Sequence, residues 1–81
     1  MNITKAVIEI QQQANSQKLS LTKDSTDHDI TKNFYEAFGL IAAIRYLVPH
    51  DIYQNIARTF MHTSLEYVTS LGVRVVNNEN A

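Results

Sequence analysis

The chain has 81 residues, 44% of them hydrophobic, with seven Lys and Arg against eight Asp and Glu. That length suits one small domain with a thin core, and the apolar share is too high for wholesale disorder. The absence of cysteine excludes a disulfide framework, a zinc–thiolate site and a cysteine nucleophile, and a net charge of −1 with scattered basic residues argues against a strong nucleic-acid binder.

The N-terminus lacks the basic-then-apolar pattern of a signal peptide. The apolar run from Ala37 to Ile44 falls far short of the roughly 20 residues that a membrane span requires. The expectation is a cytoplasmic protein with no membrane contact.

Taken in order, the first segment places Ile3, Val7, Ile10 and Ala14 on one narrow stripe, which Leu21 continues. Steps of three and four are helical spacing, so a helix is expected near 3–19, with Asn2 or Thr4 as its cap. A strand over 6–10 competes, because Val7, Ile8 and Ile10 are β-branched. The glutamines that follow favour the helix.

The polar stretch Thr22 to Asp29 has the length of a helix–helix connection. Thr26, Asp27 and Asp29 suit the positive end of a following helix. Asp24, Asp27, His28 and Asp29 could also be read as a metal loop, but the glycine and closing glutamate of an EF-hand are missing. Capping is the favoured reading, and no metal or other cofactor is expected.

A second helix is expected near 30–48, with Ile30, Phe34, Ala37, Ile41, Ile44 and Val48 on one face. Arg45 is the only charge in its second half, so apolar groups cover most of its circumference. Such a helix needs cover on several sides. Gly39, Ala42 and Ala43 form a strip of small residues flanked by Tyr35 and Tyr46. The strip would let another helix approach closely; the favoured partner is helix 1 or helix 3 of this chain, and the alternative is a second copy in a symmetric dimer. Arg45 is expected to reach water or an acid from the apolar side.

Pro49 disfavours helical geometry at Val48 and suits the first turn of a third helix near 51–71. Its broad apolar face carries Ile52, Tyr53, Ile56, Phe60, Tyr67 and Leu71. Gly72 is a natural left-handed stop. Beyond it, Val73 to Val76 permit a short extended segment, and residues 77–81 read as a disordered polar tail to a domain spanning 1–76.

The expected fold is therefore all-α, with three helices and an antiparallel hairpin of the second and third. Its core should include Val7, Ile10, Phe34, Phe38, Ile41, Ile44, Ile56, Phe60 and Leu71.

No catalytic motif is present. The two glycines lie far apart, so no loop can cradle phosphate. His62 stands between Arg58 and Glu66 at four-residue steps, the pattern of a solvated helix face. The expected function is a small non-enzymatic interaction or regulatory module, a homodimer through Tyr35, Gly39, Leu40, Ala42, Ala43 and Tyr46. The alternative is a DNA-binding regulator that reads bases with Gln54, Asn55 and Arg58, although few basic residues stand nearby for phosphates.

Overall fold

A computed structural model describes residues 1–72. The first helix, α1, spans Ile3–Leu19. Asn2 caps it, its Oδ1 accepting from the Lys5 amide at 3.0 Å, which satisfies one of the amides that a helix start leaves free. The residues that competed for a strand, 6–10, lie inside this helix.

The second helix, α2, spans Asp27–Ala43 and starts earlier than its apolar periodicity suggests. The cause is a reciprocal cap. The Asp29 amide donates to Thr26 Oγ1 at 3.1 Å, and the Thr26 amide donates to Asp29 Oδ2 at 3.0 Å. The bond from the Thr26 backbone, with help from its hydroxyl, holds the Asp29 carboxyl below its ordinary pKa.

The α-helical part of α2 also ends before Val48. Ile44–Tyr46 tighten into a 3-10 turn, and Ile44 O accepts from both the Leu47 amide at 2.8 Å and the Val48 amide at 3.2 Å. A tightened last turn is a common way to use carbonyls that a helix end leaves free. Pro49 then starts the third helix, α3, which spans His50–Ser70. Gly72 follows at φ +85°, the left-handed geometry expected of it. The expectations for 73–76 and 77–81 lie outside the described residues.

The fold is all-α, with no strand among the described residues. The closest pair of helices is α1 with α2 rather than α2 with α3. Side-chain size accounts for this. Ala14 of α1 and Ala37 of α2 are fully buried in one cluster, whereas Phe38 and Phe60 meet edge to face at 5.0 Å between α2 and α3. Small side chains admit a near backbone; two phenyl rings set edge to face hold one off.

Val7, Ile41, Ile44 and Phe60 are buried as expected, with Ile10, Phe38 and Ile56 packed against them. Phe34 and Leu71 are only half-buried. Phe34 lies at the margin, edge-on to Phe38 at 5.7 Å. Ala14, Leu21, Ala37 and Val68 complete the core.

Three polar residues are buried with them: Lys18, Asn33 and Ser64. Asn33 Nδ2 donates to Gln17 O at 2.6 Å and to Ser20 Oγ at 3.1 Å, which ties α2 to the last turn of α1. Tyr67 of α3 adds a second tie, its hydroxyl donating to Leu21 O at 2.8 Å. Lys18 Nζ donates to Thr63 Oγ1 at 3.1 Å and lies 5.1 Å from the centre of the Phe60 ring. Burial pushes the Lys18 pKa below its ordinary value.

Candidate interaction face on the central helix

Burial divides α2 into two sides. Asn33, Ala37, Ile41 and Ile44 point inward. At about 100° per residue, Tyr35, Gly39 and Ala42 share an arc on the other side, with Ala43 at its edge. Tyr35 is 84% exposed, and Tyr46 in the 3-10 turn is 76% exposed. Gly39 and Ala43 are exposed and Ala42 is half-buried. Among the described residues, a methyl group built on Gly39 would meet nothing within 4 Å. Neither α1 nor α3 lies over the glycine, so no packing within the described residues requires it there.

Leu40 does not belong to this arc. It is half-buried, packs against the core cluster and borders an open groove between α1 and α2 with Glu9, Gln12, Gln13 and Ser16. Across the nearby helix boundary Gln17 Nε2 donates to Glu36 Oε2 at 2.6 Å. Apart from Glu9, the polar groups of the groove are amides and hydroxyls.

Arg45 finds an aromatic partner rather than an acid. Its guanidinium lies 4.9 Å from the Tyr46 ring centre, and Nη2 donates to the Tyr46 hydroxyl at 2.7 Å. That hydrogen bond raises the Arg45 pKa further. The contact tethers the hydroxyl end of a ring that otherwise stays exposed.

Gln54, Asn55 and Arg58 are all exposed on α3, beside Asp51 and His62. Arg58 is the sole Lys or Arg of that helix, so the surface offers little positive charge to phosphate. Asp27, His28 and Asp29 sit in the first turn of α2, with Asp29 engaged in the cap. Among the described residues no group of three or more acidic or histidine side chains is placed to hold a metal ion. Nor is any described helix long and apolar enough to cross a membrane.

Compared with known proteins, the chain matches no family model, no curated protein and no solved structure.

Proposed function

We propose that the chain is a non-enzymatic interaction module that self-associates through the outer arc of α2. One observation carries this reading: Gly39 occupies a mid-helix position with open space above it, between two exposed tyrosines. Glycine there costs about 1 kcal/mol against alanine. A neighbour approaching from outside the chain gives that cost a use, since a bare backbone admits close helix contact. Tyrosine is enriched in protein interfaces because it buries a large ring while its hydroxyl stays hydrogen-bonded.

Sedimentation equilibrium of the wild type and of Ala43→Glu tests the reading. Ala43 is exposed, so the added carboxylate leaves the fold intact and should lower association without changing helicity. A wild type that keeps the mass of one chain up to millimolar concentration, or a variant that associates equally well, refutes it. The DNA alternative predicts duplex binding at low salt that is lost in Arg58→Ala.

A further inference from the structure

Building on the self-association reading, we infer that the partner is a second copy docked antiparallel on α2, with Tyr35 of each copy against Tyr46 of the other. The arc reads Tyr35, Gly39, Ala42, Tyr46: aromatic, small, small, aromatic, with three residues between the outer members of each half. Reversing the direction of the chain leaves that pattern unchanged. A twofold contact needs this property, because residue i of one copy must fit residue j of the other while j fits i. Placing the axis between Leu40 and Ile41 brings Gly39 opposite Ala42 at the closest approach and sets one tyrosine pair at each end.

The two tyrosines supply over half of the area that a specific dimer needs. At 84% and 76% exposure, the two rings give each copy about 300 Å² to bury. Two copies thus supply about 600 Å² from tyrosine alone, toward the roughly 1,000 Å² expected of a specific interface. The stems of Lys32 and Arg45 and the Ala43 methyl border the same arc and extend it. That scale corresponds to a weak, reversible dimer.

Direction follows from charge and preorganisation. In a parallel pair, Lys32 would face Lys32, Arg45 would lie near Arg45, and the helix dipoles would align unfavourably. The antiparallel pair separates the like charges and opposes the dipoles. Arg45 holds Tyr46 by its hydroxyl, and the exposed ring offers a face for an offset stack with the incoming Tyr35.

The chain has no cysteine, so single introduced thiols report the register cleanly. Tyr35 and Tyr46 lie about 18 Å apart along the helix, given its rise and that of the 3-10 turn. A disulfide tolerates only about 5.5 Å between Cα atoms. Oxidation of an equimolar mixture of Tyr35→Cys and Tyr46→Cys should give mixed cross-links several-fold above the self-cross-links of either variant alone. Intermolecular NOEs between Tyr35 and Tyr46 rings, in a mixture of labelled and unlabelled wild type, test the same contact with both tyrosines in place. Efficient self-cross-linking of Tyr35→Cys overturns the antiparallel register while leaving α2 as the interface. A wild-type dimer with neither mixed cross-links nor these NOEs overturns the proposal and assigns the dimer to another surface. A wild type that stays monomeric overturns the self-association reading itself.

Discussion

Replacing Gly39 with alanine should act in opposite directions on folding and on association. The residue lies inside α2, is exposed, and among the described residues has nothing within 4 Å of the position its Cβ would take. The methyl therefore creates no clash and buries little new area, and the helix-propensity difference dominates. That difference is about 1 kcal/mol in favour of alanine. For a domain of this size it corresponds to a rise in Tm of about 4–8 °C. Urea or thermal unfolding, followed by circular dichroism at concentrations dilute enough to hold the chain monomeric, reads this directly. At high concentration the same methyl keeps the two helices apart, so the dissociation constant should rise. A loss of stability in the dilute sample would refute the reasoning, because it would mean that part of the chain lies over Gly39. A stabilised monomer with undiminished association would remove Gly39 from the interface.

Other outcomes follow from the buried polar groups and the cap. Thr26→Ala removes the hydroxyl half of the cap on α2 and should cost about 1 kcal/mol in urea unfolding; the Asp29 contribution, made through the residue-26 amide that alanine keeps, is present above its ordinary pKa of 3.8 and fades as pH falls through its lowered folded value. Lys18→Met removes a buried charge while keeping the stem that packs beside Phe60, and should stabilise the chain near neutrality. Because the folded Lys18 pKa lies below its ordinary 10.5, the unfolded chain holds more protons in that interval, and wild-type stability should gain from rising pH there. The gap in unfolding midpoint between variant and wild type near neutrality should narrow across that alkaline interval; parallel pH curves would contradict the assignment. Ser64 is fully buried with no partner for its hydroxyl among the described residues, so Ser64→Ala should gain about 1 kcal/mol. A loss would mean that the hydroxyl is bonded after all.

The helices were legible in the sequence because periodicity and caps agree over most of their length. The boundaries that shifted are those where the two diverge. At the start of α2, the cap at Thr26 and Asp29 precedes the first apolar residue, Ile30, so spacing alone begins the helix late. At its end the apolar spacing continues to Val48, while the backbone has already tightened at Ile44. The buried polar residues did leave a signal, since each fills a slot in an apolar stripe. Lys18 falls between Ala14 and Leu21, Asn33 precedes Ala37, and Ser64 stands midway between Phe60 and Val68. Residue type hid what spacing displayed. For the candidate face, the small strip and its flanking tyrosines were visible in the sequence, but the side of α2 they occupy was not. Leu40 adjoins the strip in sequence yet turns toward α1, because one residue rotates a helix by about 100°.

The most direct test of the account follows amide chemical shifts, residue by residue, as the wild-type concentration rises from micromolar to millimolar. Shifts concentrated on Tyr35, Gly39, Ala43 and Tyr46, with the exposed faces of α1 and α3 unchanged, are the predicted result. A spectrum that does not change with concentration, or changes centred on Gln54, Asn55 and Arg58, would contradict it.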